Sequence, residues 1–354
     1  MVATFKSFIY KSFVYLKGKA YVYKLTYQYR KVIKQRLRNK LQVLSRVQNK
    51  EIKAFYNSYG YKNVKTWWHE FYYSNNHMFS VKYVPEDLFH AVISKKFNQM
   101  RQWPSLLDKN LLGLMFRDFK QPYPILKNIN GFYYIDGKIV SEEEAINRIV
   151  NEGDRMVIKP TIDSGNGQGV ISVSFDNDIA VKNLFRTYKK DFIVQKIVIQ
   201  HETLQELNFS SLNTIRAISY LNEKGVHVLS SVIRIGNSGS FTDNFEDGGM
   251  ACGINENGML KKVGYLFNGV SKTKTNTGII LGDIRIPSYN KIVEQVKDMH
   301  TLIPYFRLVS WDIGIDIKGK PVLIEYNTYH QNITMHQLVN GPLFGDFTEE
   351  ILKA

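Results

Sequence analysis

Residues 309–328, VSWDIGIDIKGKPVLIEYNT, alternate apolar with other side chains at period two on either side of Lys318-Gly319. That pattern predicts two antiparallel strands joined by a turn. A two-residue turn sets Ile317 against Lys320 and Asp312 against Glu325, with Asn327 further along the same face. Residues 211–220 alternate as well, putting Asn213 and Ile215 on one face and Thr214 and Arg216 on the other, with 228–235 as the hairpin neighbour. Further strands are expected at 129–135 and 138–140 around Asp136-Gly137, at 156–160, 170–175 and 192–198, and around 251–254. Helical spacing links Phe5, Phe8, Ile9, Phe13 and Leu16, then Leu25, Tyr29, Ile33, Leu37, Leu41 and Leu44, with Gly18 between the two stretches. A helix over 85–97 starts at a proline, and Ser141 with Glu144 forms a capping box for another.

Composition adds size and charge. At 354 residues and 44% apolar, the chain can bury one large core or two smaller ones. Cys252 is the only cysteine, which excludes an internal disulfide and fits a reducing compartment. No apolar run reaches the length of a transmembrane helix, and Lys6, Lys11, Lys17 and Lys19 interrupt the start where a signal peptide needs an apolar core. A cytoplasmic location is expected. Residues 1–65 hold sixteen Lys or Arg against one acid, Glu51, so they carry the whole net charge of +15. Such a polybasic, amphipathic arm either lies on the anionic inner face of a membrane or packs its apolar side onto the body. Nucleic acid is the weaker reading, because no zinc finger and no aromatic RNA-binding strand accompanies the charge.

Candidate chemistry gathers where strands end. The loop 161–169, TIDSGNGQG, lies between two strands. A dinucleotide fingerprint or a P-loop needs a helix after its glycines, so both are excluded. Glycines let backbone N–H groups approach phosphate closely, and Lys159 stands at the strand end before them. The alternative is an ordinary hairpin with a solvated lysine. Arg216 and Arg234, on neighbouring strands, suit a transferring phosphoryl group or structural ion pairs. Asp312 opposite Glu325 repel each other unless a hard cation joins them, and Asn327 adds a third oxygen donor. The histidines show no zinc spacing.

In order, Asp108-Lys109, Lys159, the glycine loop, 192–198, Arg216, Arg234, Asp312, Glu325 and Asn327 resemble the ATP-grasp fold over residues 105–330. The phrases SLNTIR (211–216), DNFEDGG (243–249) and IEYN (324–327) resemble its sugar-transfer-associated branch, related to α-L-glutamate ligases. The resemblance implies an α+β chain: an ATP-grasp fold of two α+β subdomains, 105–200 and 201–354, gripping ATP. The basic arm 1–65 and a helical, aromatic connection 66–104 precede them. It also implies ATP and Mg2+, with two ions, as cofactors. Lys109 and Lys159 would hold phosphates, and Ser164, Gly165, Gly167 and Gly169 would form a flap over them. Gln195, Lys196 and Val198 would pair with adenine; His201 and Glu202 would reach ribose. Asp312, Glu325 and Asn327 would hold metal, while Arg216 and Arg234 would stabilise the transferred group. Asn213, Asn244, Gly248, Gly249 and His330 are candidate substrate contacts.

The implied activity is a carboxylate–amine ligase working through an acyl phosphate, with a sugar acid or polysaccharide precursor and an amino acid as partners. An ATP-grasp kinase or a non-catalytic nucleotide-binding scaffold are the alternatives. Two departures matter. Residues 1–104 show no βαβ pattern where many such ligases carry a substrate-binding domain, and Gln195 stands where the family more often has Glu.

Overall fold

The computed structural model describes residues 20–35, 37, 43–162, 167–175, 177–329 and 331–354. These fall into two compact units, Gln99–Gln331 and a second made of the described residues before Gln99 together with Asn332–Ala354.

Gln99–Gln331 holds two antiparallel sheets. The first contains β1 (Pro124–Ile129), β2 (Phe132–Ile135), β3 (Lys138–Val140), β4 (Met156–Pro160), β5 (Ile171–Val173) and β6 (Phe192–Lys196), in the order β3-β2-β1-β6-β4-β5. The turn between β2 and β3 has Asp136 and Gly137 both at positive φ, 48° and 80°, the combination expected of a two-residue hairpin loop. Helix Glu142–Val150 opens with the expected reciprocal capping of Ser141 and Glu144. Its apolar face, with that of helix Asp178–Tyr188, covers the sheet through Ile146, Ile149, Val181 and Phe185.

The second sheet contains β7 (Thr214–Asn222), β8 (Gly225–Ile235), β9 (Met250–Ile254), β10 (Leu260–Leu266), β11 (Ser271–Lys272), β12 (Leu308–Ile315) and β13 (Pro321–Asn327). Its order is β11-β10-β9-β8-β7-β12-β13, so β12 lies between β7 and β13. Helix Tyr289–Thr301 seals one face around the buried Trp311. There the Trp311 indole donates to Ser219 Oγ at 2.8 Å, and Ser219 Oγ lies 2.7 Å from His300 Nδ1. His300 Nε2 donates to the Phe306 carbonyl at 2.8 Å, which fixes the neutral tautomer and leaves Nδ1 as acceptor.

The turn of the β12–β13 hairpin departs from expectation. Asp316 N–H bonds the Lys320 carbonyl, so three residues, not two, form the loop, and Ile317 does not face Lys320. Asp316 Oδ1 accepts from both Lys318 N–H and Lys320 N–H, and Gly319 takes φ 71°. This shifts the register by one, and a bulge between Asp312 and Ile313 shifts it back. Asp312 therefore does pair with Glu325, and Ser310 with Asn327.

The other unit is helical and aromatic. Residues 20–35 form a helix whose Leu25 and Ile33 are buried, and whose Tyr29 packs edge-on against Trp68. The expected apolar run Phe5–Leu16, Gly18 and Leu41 lie outside the described residues; helix Arg46–Ser58 starts at a Ser45–Gln48 capping box. The helix expected over 85–97 is present, with the turn at Phe89–Ile93 widened to i→i+5 bonding. Fully buried Gln337 accepts from Val84 N–H and donates to the Val84 carbonyl, both at 2.8 Å, tying the chain after Asn332 to the earlier segment.

Burial holds His300 and His69 neutral, their pKa values pushed down to about 4 from the usual 6.5. Unfolding lets each ring bind a proton at the ordinary value. Stability from these two groups is therefore full above pH 6.5 and falls progressively down to pH 4. In urea titrations from pH 7.5 to 4, His300→Gln should remove about 3 kcal/mol of that pH-dependent loss. An unchanged acid slope would show that His300 is already charged in the fold.

Candidate functional site

The ends of β7, β8, β12 and β13 bring ionic side chains together inside Gln99–Gln331. Arg216 on β7 donates from Nε to Asp312 Oδ1 at 2.6 Å and from Nη2 to Oδ2 at 2.5 Å. This follows from register, because Asp312 is the direct cross-strand partner of Arg216 as well as of Glu325. Arg234 on β8 adds a 3.2 Å contact from Nη2 to Asp312 Oδ2 and another of 3.2 Å to Asp243 Oδ1. Burial raises the Asp312 pKa, but Arg216 and then Arg234 outweigh it and bring the group down to about 2. Burial alone would lower the Arg216 pKa; Asp312 holds it above its usual value.

Two lysines come from elsewhere. Lys109 Nζ lies 3.5 Å from Glu325 Oε2. Its backbone is fixed by Lys109 N–H to the Thr161 carbonyl, and Asn110 ties the same turn to Thr161 Oγ1 and the Asn128 carbonyl. Lys159, near the end of β4, is 7% exposed. Burial is the main cause that pushes its pKa down to about 8; Glu325 raises it, Lys109 lowers it and Asp312 raises it. Four cations thus face three carboxylates, Asp243, Asp312 and Glu325, in a partly desolvated site. The surplus is positive, and it suits a polyanion.

Asp312, Glu325 and Asn327 offer hard oxygen donors. A carboxylate has about four lone-pair positions, and the arginines engage three on Asp312, which makes it as much an anchor for the guanidinium groups as a donor. Glu325 and Asn327 are half-buried and lie two residues apart on β13, on the same face. The set fits Mg2+, which needs few protein ligands when phosphate supplies the rest. Among the described residues no three His, Cys, Asp or Glu converge as a preformed metal cluster.

Other expected residues take different places. Gly167 and Gly169 follow β4 in left-handed turns, with Gly169 so close to the Pro160 ring that an added Cβ would lie 2.9 Å from it. Ser164, Gly165 and His330 lie outside the described residues. The Gln195 side chain points its amide at the Pro122 carbonyl, 3.4 Å away. Lys196 pairs with Glu152, and its backbone N–H is taken by the Tyr123 carbonyl. Val198 lies past β6, where the chain leaves the ladder. His201 caps helix Glu202–Leu207 by accepting from Thr203 N–H, and Glu202 is exposed.

Asn213 is fully buried, its amide donating to the Leu204 and Asn208 carbonyls and its oxygen accepting from Gly236 N–H. It braces the entry to β7 and is not brought to the ionic cluster. Asn244 caps the short turn Phe245–Asp247. Gly248 adopts φ 90°, and an added Cβ on Gly249 would meet the Asn244 carbonyl at 2.6 Å. The Gly-Gly pair therefore lets its own loop fold tightly.

Asp243 of that loop and Thr214, the first residue of β7, join the site without having been singled out as site residues. Asp243 accepts from Thr214 N–H at 3.0 Å and from Thr214 Oγ1 at 2.5 Å, while Thr214 Oγ1 accepts from Arg234 Nε and Nη2. Together they orient Arg234. Burial raises the Asp243 pKa, and Arg234 offsets part of that rise. Two signals were present, the shared face of Thr214 and Arg216 and the acid opening the 243–249 phrase, but no spacing rule joins them.

Residues 89–351 match a family described as sugar-transfer associated ATP-grasp. No curated protein matches the sequence. Among solved structures, an L-amino acid ligase from Bacillus licheniformis is similar at 14% identity and TM-score 0.41, covering 70% of this chain and 48% of its own. The ATP-grasp ligase PsnB with a precursor peptide and AMPPNP shows 13% identity and TM-score 0.43, covering 73% and 63%. A D-alanine-D-alanine ligase from Coxiella burnetii shows 12% identity and TM-score 0.38, covering 70% and 56%. The chain spans from about half to under two thirds of the length of these proteins.

Removing one partner of the buried pair leaves an uncompensated charge. Arg216→Met should therefore lose about 3–5 kcal/mol in denaturant titrations. Adding Asp312→Leu to that variant should recover stability, and strictly additive losses would show the two groups to be uncoupled.

Proposed function

The chain belongs to the sugar-transfer-associated ATP-grasp family, and from that premise we propose that it is an ATP- and Mg2+-dependent carboxylate–amine ligase. The observation that carries the proposal is the convergence of Lys109, Lys159, Arg216 and Arg234 on Asp312 and Glu325. Such a site binds a triphosphate and meets charge that moves onto the γ-phosphoryl group.

In the first step a carboxylate oxygen attacks the γ-phosphorus, the bond to the β-phosphate bridging oxygen breaks, and ADP leaves. In the second, an amine nitrogen attacks the acyl carbon, phosphate departs with the carbon–oxygen bond electrons, and the amine loses a proton. Lys109 and Lys159 hold phosphate oxygens. Arg216 and Arg234 lie behind the transferred group, held by Asp312 and by the Thr214–Asp243 pair. Asp312, Glu325 and Asn327 would hold Mg2+, which when bound neutralises the β- and γ-oxygens. No residue needs to become covalently modified, because positioning and charge stabilisation suffice for phosphoryl transfer. The acceptor is proposed to be a uronic acid or similar carboxylated sugar, and the amine an amino acid.

Calorimetry with ATP and excess Mg2+ tests the premise. Glu325→Ala should weaken binding about tenfold or more, over about 1.4 kcal/mol. Native protein that binds no MgATP would end the ligase reading. With binding established, a screen of sugar acids and amino acids should give ADP release and amide only when both are present. ADP release with a phosphorylated hydroxyl and no amide would make the protein a kinase.

Lys159 sets a pH signature. The free protein loses the Lys159 proton as pH rises through about 8, whereas bound phosphate favours the charged form. ATP affinity should hold below pH 8 and fall roughly tenfold per pH unit above it. Lys159→Met should bind more weakly at pH 7 and lack that decline; a native-like profile in this variant would assign the titration to another group.

A further inference from the structure

We propose that the chain carries a second binding site, for an anionic saccharide, in a cleft of about 370 Å3 formed by helix Arg46–Ser58 and residues 62–67. This cleft lies before residue 89, where the family match begins, so it belongs to a part of the chain that the family does not define.

Lys53, Lys62 and Lys65 line the cleft, and no carboxylate does. None of the three forms an ion pair with a described residue. They are held on ordered backbone. Gly60 N–H bonds the Asn57 carbonyl and Tyr61 N–H the Tyr56 carbonyl, fixing the turn that follows the helix. Like charges gathered by such a turn repel one another, and an anion among them removes that cost.

The remaining lining narrows the ligand. Asn57 and Asn63 bring side-chain amides that donate and accept, as sugar hydroxyls require. Trp67 brings a half-buried indole to the lining, and the Arg30 guanidinium carbon over its ring, 5.6 Å from the ring centre, adds a fourth cation. The volume lies within the range of small-molecule sites, larger than a lone inorganic anion needs. The neighbouring helix of residues 20–35 buries Leu25 and Ile33 but leaves Tyr23 and Tyr27 exposed, so a lipid surface is an outcome that the test separates. Carboxylate or phosphate groups on a short glycan match both the charge and the amides.

The site is independent of the ligase reading, and its test contains no nucleotide, so the two fail separately. The full chain is titrated with hexagalacturonate, with maltohexaose as the uncharged probe, and binding is followed by calorimetry. Hexagalacturonate should bind and maltohexaose should not, and Lys62→Ala/Lys65→Ala should weaken binding roughly tenfold while leaving the melting temperature unchanged. A charge-matched control, Lys31→Ala/Lys34→Ala, lies outside the lining and should change affinity by less than about twofold. Equal loss in the control would reduce the effect to general polycation attraction and overturn the site. Competition by inorganic phosphate at equal concentration would leave a bare anion site and overturn the saccharide. Cleft-dependent binding to phosphatidylserine vesicles, with none to hexagalacturonate, would assign the cleft to lipid instead.

Discussion

The ion pair between Arg216 and Asp312 is the contact on which the rest of the site depends. Both groups are buried, on adjacent central strands, and neither could stay charged there alone. Because the pair is bidentate and in register, it fixes where the guanidinium plane lies and which way β12 presents its carboxylate. Arg234 can share Asp312 only because Asp243 and Thr214 hold it from the other side. Lys109 and Lys159 then turn the balance positive, a surplus that protein carboxylates do not cancel. A site of this kind is stable as a fold and still electrostatically incomplete, which is the condition a phosphate-binding enzyme needs.

The supporting architecture is arranged around that condition. β12 takes the inner place between β7 and β13, so its acid reaches an arginine on one side and a second acid on the other. The opposite face of the same strand carries Trp311 into a fully hydrogen-bonded core with Ser219 and His300. Alternation along one strand thus separates a dry, neutral core from a charged site by the thickness of a single sheet. The Lys109 turn uses backbone and amide bonds rather than packing, which places a long flexible side chain on a rigid base.

Much of this was legible because period-two alternation is a strong signal. The Asp136-Gly137 turn, the Ser141 capping box and most strands followed from local chemistry, but a turn at Asn130-Gly131 splits the expected strand 129–135, and β1, β10 and β11 were not foreseen. The Asp312–Glu325 pairing was right for an incomplete reason. Asp316 captures two backbone N–H groups and lengthens the turn by one residue, and the bulge near Ile313 removes the same offset. A turn and a bulge with opposite effects cannot be separated in a sequence whose alternation they preserve between them. Asn213 looked like a site residue because its neighbours are, but its amide is fully used in bracing the chain. Asp243 was hidden for the opposite reason: its partner, Thr214, lies across a loop whose path depends on Gly249 having no side chain.

The helical unit has a discontinuous origin, two segments with the whole of Gln99–Gln331 between them. A chain made from its N-terminus delivers the first segment long before the residues that complete it. At typical rates of 5–20 residues per second, the interval is roughly ten seconds to most of a minute. During that time the Val84 backbone lacks Gln337, and the aromatic residues of the first segment lack part of their cover. The sheet-bearing unit is continuous and suffers no such delay. The order of synthesis therefore reverses the order of the sequence: the part made second is the first that can be finished, and the basic, aromatic part made first must wait.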